Sequence, residues 1–456
     1  MNEDTICAIA TAQGGALGII RVSGREAIAI TARLLTLPPG AEPLNHRRSH
    51  TLVRGQICRH GEVVDDVLVS LFRAPHSYTG EESTEISCHG SPYILQEVMQ
   101  LLIEQGCRMA QPGEYTRRAF LHGKMDLSQA EAVADLIAST SAATHRLAMN
   151  QMRGGFSREL SALRDRLLHF TSLIELELDF SDHEELEFAD RTALCRLADE
   201  IASVLARLIH SFGVGNVLKN GVPVAIVGET NAGKSTLLNV LLNEERAIVS
   251  EIHGTTRDVI EDCVNIGGVT FRFIDTAGIR QTTDRIETLG IERTFQKIAQ
   301  AQIVLWVIDS AEAREQFEAL SPQLLPLTAG KQLILVFNKA DVAPPAFFPD
   351  DRFTCIAVSA KNSGQIDLLE EKLVEAARLP ELSQGDVIVT NVRHLEALTH
   401  AQASIHRVQQ GLADGLSGDF LSQDIRECIY FLSDIVGEVT TDMVLENIFR
   451  NFCIGK

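Results

Sequence analysis

The stretch Gly228-Glu-Thr-Asn-Ala-Gly233-Lys234-Ser235 has the spacing G-x-x-x-x-G-K-[S/T]. It follows the apolar run Val222–Val227 and precedes Thr236–Leu242, whose composition is typical of a helix. In a loop between a strand and a helix, glycines let backbone N–H groups surround a phosphate, and the helix N-terminus adds positive potential. The stretch therefore predicts a phosphate-binding loop in an α/β domain, with Lys234 at the β- and γ-phosphates and Ser235 on Mg²⁺.

Two motifs after this loop carry residues for the γ-phosphate and the metal ion. Asp275-Thr-Ala-Gly278 ends a second apolar strand, so Asp275 is predicted to hold Mg²⁺ through water and the Gly278 amide to reach the γ-phosphate. Between the two, Gly254-Thr-Thr-Arg-Asp258 falls in a predicted loop, where Thr256 completes the Mg²⁺ shell. The order of these motifs, more than any one of them, indicates a nucleotide-hydrolysing domain.

The residues for the nucleotide base follow the next two apolar strands. Asn338-Lys-Ala-Asp341 ends with a carboxylate that can accept hydrogen bonds from the N1–H and the exocyclic amine of guanine, a pair of donors that adenine lacks. Ser359-Ala-Lys361, after the following strand, completes the base pocket. Five elements in this order predict a Ras-like P-loop GTPase domain that binds GTP and not ATP.

The hydrolysis step lacks one common residue. Ile279 stands directly after Gly278, where many Ras-like GTPases place a glutamine that orients water, and an apolar side chain cannot do that. Glu287 is one candidate for this role, with an ordinary solvated helix carboxylate as the alternative. Asn231 has an amide oxygen that suits a monovalent cation beside the phosphates, with a loop-stabilising role as the alternative.

Along the chain, the sequence shows three different patterns of secondary structure. Residues 1–119 mix glycine and proline turns with one helical pattern, Tyr93–Glu104, and with short β-like runs, which is typical of an α+β domain. These runs are Gly18–Val22, Val63–Phe72 and Glu85–Cys88. Residues 120–218 and 380–456 have helical patterns, and residues 219–379 alternate apolar strands with helices in the manner of a mainly parallel sheet. The predicted strands of this third region are Val222–Val227, Thr270–Ile274, Ile303–Ile308, Leu333–Phe337 and Cys355–Val358.

Several helices are predicted from local patterns. Ser128-x-x-Glu131 is a capping-box pattern and predicts a helix whose N-terminus is capped by Ser128. A repeat of three or four residues predicts one buried helix face, formed by Leu194, Leu197, Ile201, Leu205 and Leu208. Near the C-terminus, helices are predicted over Ile425–Val436 and Met443–Phe452. The α/β region between two helical regions suggests a domain inserted into a helical one.

Composition limits the class of protein. The 456 residues include 41 lysines and arginines against 61 acidic residues, for a net charge of −20, which disfavours autonomous nucleic-acid binding. Any RNA contact then needs a local basic patch, a second subunit or a partner. The nine cysteines form no C-x-x-C pair, which disfavours a zinc ribbon. The acidic start Met-Asn-Glu-Asp and the short apolar run Ile303–Ile308 predict a cytoplasmic protein with no membrane segment.

The C-terminal sequence is Phe452-Cys-Ile-Gly-Lys456. Cys453 is fourth from the end, as prenylation requires, but Gly455 and Lys456 match that signal poorly and no polybasic run precedes them. From spacing alone, Cys453 is a nucleophile, a packing residue or incidental.

The whole chain resembles the MnmE family, also called TrmE, of tRNA-modification GTPases. The resemblance is carried by Gly18-Ile-Ile-Arg-Val-Ser-Gly24, by Pro112-Gly-Glu-Tyr-Thr-Arg-Arg-Ala-Phe120 and by Lys124-Met-Asp-Leu-Ser-Gln-Ala-Glu-Ala132. The GTPase motifs and the terminal Phe-Cys-Ile-Gly-Lys complete it.

The resemblance implies a multidomain fold: an α+β N-terminal domain similar to tetrahydrofolate-binding proteins, which also dimerises, and an all-α domain with an inserted GTPase domain. It implies a homodimer that forms a heterotetramer with the flavoprotein GidA (MnmG). Together the two install an aminomethyl or carboxymethylaminomethyl group at C5 of the wobble uridine of certain tRNAs. The one-carbon unit comes from 5-formyl- or 5,10-methylene-tetrahydrofolate. The alternative is a regulatory or ribosome-assembly switch like the Era-type GTPases, which share the Gly254–Asp258 motif but lack the C-terminal one.

The resemblance also assigns site residues. Its folate contacts fall on Arg21, Glu85, Lys124 and Lys456. Its K⁺ site falls on the Asn231 side chain and on backbone oxygens of Ser250, Ile252 and Thr255. Its catalytic residues fall on Glu287 and on Cys453, which tRNA modification requires. With the motifs above, the predicted GTP-binding set is Asn231, Ala232, Gly233, Lys234, Ser235, Thr236, Ser250, Thr255, Thr256, Asp275, Gly278, Asn338, Lys339, Asp341, Ser359, Ala360 and Lys361.

Overall fold

The fold is described from a computed structural model. It describes residues 4–12, 14–179, 190–243, 262–274, 298–350, 352–378, 387–450, 452 and 455. The chain divides into two compact units. The first unit comprises Met1–Ile137, Gln151–Ala198 and Ala403–Lys456, and the second comprises Ala138–Asn150 and Asp199–Gln402.

The described residues form strands, helices and short 3₁₀ turns in the following order. The strands are β1 (Ile6–Ile9), β2 (Leu17–Ser23), β3 (Leu35–Thr36), β4 (Thr51–Arg59), β5 (Glu62–Phe72), β6 (Ser83–His89), β7 (Arg108–Met109), β8 (Val222–Val227), β9 (Asp262–Ile266), β10 (Val269–Phe273), β11 (Ile303–Asp309), β12 (Gln332–Asn338) and β13 (Thr354–Ala357). The helices are α1 (Ala27–Leu34), α2 (Pro92–Glu104), α3 (Glu114–Leu121), α4 (Leu127–Ala138), α5 (Ala142–Met152), α6 (Gly155–Asp179), α7 (Arg191–Asn220), α8 (Lys234–Asn243), α9 (Ala313–Leu327), α10 (Ile366–Ala377), α11 (Val392–Ala413), α12 (Gly418–Val436) and α13 (Asp442–Phe449). The 3₁₀ turns are Leu44–His46, Ser310–Glu312 and Ala360–Asn362.

The first unit contains a seven-stranded sheet in the order β3-β4-β5-β6-β2-β1-β7. Its pairs are antiparallel except for β1 with β7. Ile20, Val69 and Leu102 belong to the core between one face of this sheet and helices α1 and α2. The opposite face carries exposed apolar side chains such as Leu52 and Leu68. This alternation is the pattern of an antiparallel sheet with one packed face, and the predicted strands and the Tyr93–Glu104 helix are confirmed.

The N-terminus of α4 differs from its prediction. Asp126, not Ser128, caps this helix, because its Oδ1 accepts the Gln129 N–H at 2.9 Å. In return, Gln129 Oε1 accepts the Asp126 N–H at 3.0 Å, which closes a capping box two residues earlier than predicted. Ser128 lies inside the helix, and its hydroxyl is within hydrogen-bond distance of both Asp126 and Ser157. The predicted cap formed by Ser128 and Glu131 was wrong, because Asp126 and Gln129 have the same spacing two residues earlier and form the cap instead.

The C-terminal helices pack in the first unit. Helix α12 contacts α6, and an Arg426–Glu175 ion pair joins the two. The predicted helix over Ile425–Val436 is confirmed and begins earlier, at Gly418. The last helix ends at Phe449 and not at Phe452, because the Phe452 N–H donates to the Phe449 carbonyl in a tighter turn at 3.0 Å.

The second unit contains a six-stranded sheet in the order β13-β12-β11-β8-β10-β9. Every pair is parallel except β10 with β9. Strand β11 is buried through Ile303–Ile308, which explains its continuous apolar sequence. The predicted strands of this region are confirmed to within one residue. Because the carboxyl ends of parallel strands share one sheet edge, the loops after β8, β11, β12 and β13 meet there.

Helix α7 carries the predicted apolar stripe, and its five members are buried. They are Leu194, Leu197, Ile201, Leu205 and Leu208. In the described part of the chain, this is the one helix long and apolar enough to cross a membrane by length and composition. A core helix passes the same test, so the finding is weak support for a membrane span.

Candidate functional site

The loop between β8 and α8 has the form expected of a phosphate-binding loop. Helix α8 begins at Lys234, and the Leu237 N–H donates to the Gly233 carbonyl in its first turn. The Lys234 ammonium donates to the carbonyl oxygens of Gly228 at 2.8 Å and Glu229 at 2.6 Å. The lysine side chain therefore folds back over its own loop, where it lies beside the backbone amides of the helix N-terminus.

Two glycines of this loop are required by geometry. A Cβ on Gly228 would lie 2.1 Å from the Val307 carbonyl oxygen, because the chain leaves β8 in contact with β11. Gly233 has a φ of 93°, and a Cβ there would lie 2.1 Å from Asn338 Nδ2. Asn231 is exposed with a φ of 70°, in the left-handed region that asparagine tolerates better than most residues.

Asn338 joins the phosphate loop to the base-binding loop. Its side chain is 2% exposed, its Nδ2 donates to the Ala232 carbonyl at 2.9 Å, and its Oδ1 accepts the Ala360 N–H at 3.0 Å. Because the Asn338 side chain is buried, losing either hydrogen bond would lower the free energy of unfolding. The predicted residues Ala232, Asn338 and Ala360 are thus brought together, with Asn338 as the link between the loops.

The carboxylate of Asp341, which is predicted to bind guanine, is oriented by two neighbours. Asp341 Oδ1 accepts the Ser359 hydroxyl at 2.7 Å, and Asp341 Oδ2 accepts Asn362 Nδ2 at 3.1 Å. Ser359 is buried and its backbone is bonded to Gly364 in both directions, so its position is fixed. Each carboxylate oxygen has further acceptor capacity, and the exposed carboxylate can accept two donors from a base.

Lys339 is held by an ion pair at the end of β11. Its backbone has a φ of 64°, and its ammonium lies 2.6 Å from Asp309 Oδ2 at the end of β11. The stem of the lysine then spans the space between two strand ends. Lys361 follows in the next loop and is exposed.

The remaining predicted residues of this site divide into two groups. Ser235 is half-buried and Thr236 is exposed in the first turn of α8, where a hydroxyl oxygen suits Mg²⁺ together with phosphate oxygens. Several predicted residues lie outside the described residues: Ser250, Ile252, Thr255, Thr256, Asp275, Gly278, Glu287, Cys453 and Lys456. Within the described ranges, no group of three or more His, Cys, Asp or Glu side chains is placed to hold a metal ion.

A second candidate site lies on the sheet of the first unit. Arg21 on β2 and Glu85 on β6 are cross-strand partners, and their side chains form an ion pair with N–O distances of 2.8 and 2.9 Å. The Arg21 guanidinium also lies 5.5 Å from the ring centre of Tyr78 and 5.6 Å from that of Tyr115. These rings favour a cation over their faces and hold the guanidinium in one orientation.

The C-terminus reaches the same arginine. Arg21 Nη1 donates to the Gly455 carbonyl at 3.4 Å, and a Cβ on Gly455 would lie 2.6 Å from the Ile9 carbonyl oxygen. Gly455 has a φ of 95°, so both its conformation and its contact with β1 require glycine. Gly455 is therefore held beside the Arg21–Glu85 pair.

Lys124 contacts the segment that carries Tyr78. Its ammonium donates to the Pro75 carbonyl at 2.9 Å, at the start of the segment that carries Tyr78. The Tyr78 hydroxyl is within 2.9 Å of the Thr116 hydroxyl, and burial raises the pKa of Tyr78. The segment is thus fixed to helix α3, and it connects Lys124 with the ring beside Arg21.

A buried network of charges supports this part of the domain. Arg118, 9% exposed, pairs with Asp4, Glu81 and Glu114, while Arg108 pairs with Asp4 at 2.6 Å and Glu114 at 2.7 Å. The hydrogen bond from Arg108 lowers the pKa of Asp4. Burial alone would raise the pKa of Glu114, but its hydrogen bonds to the arginines and the Gln111 N–H outweigh burial and lower it.

The sequence patterns missed four residues of these sites. Asn362 and Asp309 contact the predicted nucleotide-binding residues Asp341 and Lys339. The sequence offered a signal for each: Asn362 directly follows Ser359-Ala-Lys361, and Asp309 ends an apolar strand. Tyr78 and Tyr115 contact Arg21 from distant segments, and no spacing in the sequence indicates those contacts.

The strand–loop–helix phosphate site and the base pocket at the ends of β12 and β13 define a P-loop GTPase. The family described as MnmE helical domain matches residues 127–453, and the one described as GTP-binding protein TrmE N-terminus matches residues 5–124. The chain therefore belongs to the MnmE (TrmE) family of tRNA modification GTPases. The predicted fold class is confirmed, with an N-terminal α+β domain, an all-helical domain and a P-loop GTPase domain.

Relatives match over their full length. The chain is 67% identical to the tRNA modification GTPase MnmE of Bacteroides thetaiotaomicron and 68% identical to that of Bacteroides fragilis, with 100% of both chains covered in each case. A solved structure of an Era variant from Aquifex aeolicus bound to GDP and aluminium fluoride is 28% identical over 40% of this chain and 65% of that one. Its TM-score to this chain is 0.26.

Proposed function

We propose that this chain hydrolyses GTP to drive a tRNA-modifying complex that also binds a folate. The proposal is carried by one observation: a guanine nucleotide pocket around Lys234 and Asp341 and a charged site around Arg21 and Glu85 occur in the same chain. Full-length identity to proteins named tRNA modification GTPase MnmE supports the same activity here. An Era-type switch is not favoured, because the relatives match both the N-terminal region and the helical region.

In the GTPase domain, Lys234 and the loop amides bind the phosphates, and Asp341 binds the guanine. Ser235 and Thr256 hold Mg²⁺, with Asp275 acting through water, and the bound ion neutralises charge on the β- and γ-phosphate oxygens. The Lys234 ammonium can exchange its two carbonyl acceptors for phosphate oxygens, which are stronger acceptors because they are charged.

Hydrolysis is proposed to need a monovalent cation and a second copy of the domain. The Asn231 side chain, which is exposed at the tip of the phosphate loop, would hold K⁺ together with backbone oxygens of Ser250, Ile252 and Thr255. When bound, K⁺ offsets charge that develops between the β- and γ-phosphates. Glu287 orients the attacking water, and pairing of two domains excludes bulk water from the site.

In the N-terminal domain, Arg21, Glu85, Lys124 and Lys456 are proposed to bind 5-formyl- or 5,10-methylene-tetrahydrofolate. The folate supplies the one-carbon unit. The carboxylate of Glu85 suits the N–H donors of a pterin, and the cations suit the glutamate carboxylates. Cys453 is proposed as the catalytic residue that contacts the uridine. Gly455, two residues further along the chain, accepts a hydrogen bond from Arg21.

The proposed assembly is a cytoplasmic homodimer that pairs with the flavoprotein GidA (MnmG), in a heterotetramer without membrane contact. Sharing the tRNA with a partner is consistent with the net charge of −20. The proposed domains are an N-terminal folate-binding and dimerisation domain (1–119), a helical domain in two parts (120–218 and 380–456) and a GTPase domain (219–379).

Mass spectrometry of tRNA nucleosides tests this function. Cells that lack the protein should lose aminomethyl and carboxymethylaminomethyl uridine, and the wild-type chain should restore both. Cys453→Ser should fail to restore them while its GTP hydrolysis stays near the wild-type rate. Unchanged nucleosides in the deletion strain would refute the proposed function, and full restoration by Cys453→Ser would remove that residue from the mechanism.

A further inference from the structure

A basic surface stands out on the first unit of this acidic protein. Three segments contain no aspartate or glutamate: residues 43–55, 73–80 and 121–125. We give the name basic rim to six of their cationic and histidine side chains: His46, Arg47, Arg48, Arg73, His76 and Lys124. The three segments thus carry cations and no carboxylate of their own, in a chain with 61 acidic residues.

Hydrogen bonds hold the three segments together. Arg73 donates to the carbonyl oxygens of Asn45 at 2.6 Å and Arg47 at 3.0 Å, which fixes the first segment on the second. Lys124 donates to the Pro75 carbonyl at 2.9 Å, which fixes the third segment on the second. Pro75 lies two residues from Arg73, so their Cα atoms are at most about 7 Å apart. The basic rim is therefore continuous from Lys124 to the loop of Arg47.

The charges of the rim are mostly open to a ligand. His46, Arg48, His76 and Lys124 are exposed, and Arg47 and Arg73 are half-buried. Among the ion pairs of the described residues, the rim contributes one, between Arg73 Nη1 and Glu82 Oε2 at 3.5 Å, and the exposed Glu42 precedes the first segment. Glu81 and Asp126, which follow the second and third segments, are engaged by Arg118 and by the N-terminus of α4. Two carboxylates against four lysine and arginine side chains leave a net positive surface, which favours a ligand with several negative groups.

We propose that the basic rim binds the γ-glutamyl tail of a polyglutamylated folate, an inference that rests on the proposed folate site. Each added glutamate carries one more carboxylate, and arginine pairs with carboxylates in a bidentate geometry. Lys124 is the proposed contact for the first glutamate, and the rim continues from it along the hydrogen-bonded segments to Arg73 and Arg47. An α-peptide residue spans about 3.3–3.6 Å, and a γ-linked glutamate has more chain atoms and spans more. A few glutamates of the tail therefore reach Arg47 and Arg48.

A short anionic tail fits this surface better than an RNA backbone does. Screening limits the reach of an exposed charge to about 8–10 Å at physiological salt, so a tail on the rim feels the local cations. A long polyanion instead extends over the rest of a chain whose net charge is −20, which opposes its approach. The tail is also delivered to the rim by the folate itself, which raises its effective concentration.

The test compares the affinities of the monoglutamate and pentaglutamate forms of 5-formyltetrahydrofolate for the full-length protein by calorimetry. The pentaglutamate should bind about tenfold more tightly at 0.1 M salt, because several exposed ion pairs each add a modest amount. The advantage should shrink at 0.5 M salt. In the double variant Arg47→Gln, Arg48→Gln, the pentaglutamate advantage should fall to about twofold while the monoglutamate affinity stays unchanged.

A matched control removes the same charge elsewhere in the first unit. The double variant Arg33→Gln, Arg196→Gln should keep the tenfold advantage. Arg48→Gln alone serves if the double variant is unstable, because Arg48 is exposed, and it should lose about half of the advantage on a logarithmic scale.

Three outcomes count against the inference. Equal affinities of the two folates for the wild-type protein would overturn it and leave the proposed folate site intact. Absence of monoglutamate binding would refute the folate site itself, and the inference with it. Loss of tRNA affinity in the double variant, with the pentaglutamate advantage retained, would assign the basic rim to RNA instead.

Discussion

The two candidate sites contact their central cations through different oxygen atoms. Lys234 in the phosphate loop donates to two carbonyl oxygens of its own loop, whereas Arg21 in the N-terminal domain is paired with the carboxylate of Glu85. Phosphate oxygens are charged and accept more strongly than carbonyl oxygens, so a triphosphate can replace these carbonyls as the acceptor of Lys234. The arginine charge is compensated, so that site favours a ligand with both donors and acceptors.

The sites also differ in how they are assembled. The nucleotide pocket is formed by short loops at one edge of a parallel sheet, and Asn338 ties these loops together. The Arg21 site gathers side chains from β2, β6, α3 and the segment before β6, together with the backbone carbonyl of Gly455. Substitutions in the nucleotide pocket should therefore change one chemical step strongly. Substitutions around Arg21 should have smaller effects, because binding there is spread over several contacts.

The largest effect is expected from Asp341→Asn. The amide loses one acceptor oxygen and presents an N–H group to guanine donors, so GTP affinity should fall about 100-fold. Affinity for xanthosine triphosphate should rise, because xanthine carries a carbonyl where guanine carries its exocyclic amine. Fluorescence titration with labelled nucleotides measures both. Asn362→Ala is the matched control in the same loop and should weaken GTP binding about threefold, since Ser359 still orients the carboxylate.

An unchanged preference for GTP over xanthosine triphosphate in Asp341→Asn would contradict the assigned base pocket. A loss as large in Asn362→Ala as in Asp341→Asn would show that the carboxylate does not contact the base directly.

A moderate effect is expected from Arg21→Gln. Folate affinity should fall about tenfold, because the variant loses one cation and frees Glu85 from its ion pair. GTP hydrolysis should be unaffected, which sharpens the contrast between the two sites. Calorimetry with 5-formyltetrahydrofolate measures the first and phosphate release the second. Arg33→Gln, which loses contacts to Gln105 on the same domain, should leave folate affinity unchanged. Equal losses in both variants would point to a general charge effect.

The smallest effect concerns acid stability in the first unit. Asp4 and Glu114 have pKa values below their ordinary 3.8 and 4.5, so they stabilise the fold above those values. This contribution is lost as the pH falls through the lowered pKa values. Asp4→Asn should lower the melting temperature by about 2–4 °C at pH 6, and the difference should shrink as the pH falls below 3.8. Thermal unfolding followed by circular dichroism checks this.

The exposed Asp66 supplies the control for that series. Asp66→Asn should show no difference from the wild-type protein at any pH in this series. A destabilisation by Asp4→Asn that does not shrink at all as the pH falls below 3.8 would show that it arises from packing and not from charge.

Sequence patterns located the strands and the strand-end loops of the GTPase domain, for a physical reason. Its residues lie within short motifs directly after apolar strands, and parallel pairing brings the strand ends together. The cap of α4 was missed because Asp126 with Gln129 and Ser128 with Glu131 have the same spacing, and spacing alone does not decide between them. The final helix ended three residues early, because a turn at Phe452 replaced helical hydrogen bonding.

The surroundings of Arg21 could not be predicted from local patterns. Tyr78, Tyr115 and Gly455 reach it through tertiary packing from positions far apart in the chain. Only the family resemblance pointed to Arg21, Glu85 and Lys124 as a group. Of these, the structure pairs Arg21 with Glu85 and bonds Lys124 to Pro75. Long-range contacts of this kind depend on the whole fold, whereas a motif depends on a few neighbouring residues.

The most direct measurement is the rate of GTP hydrolysis by the purified full-length protein in potassium chloride and in sodium chloride of equal ionic strength. The rate should be at least tenfold higher in potassium, and Asn231→Ala should remove that difference while GDP binding persists. If the wild-type protein fails to cleave GTP in potassium, or cleaves it equally fast in both salts, the proposed catalytic arrangement is wrong.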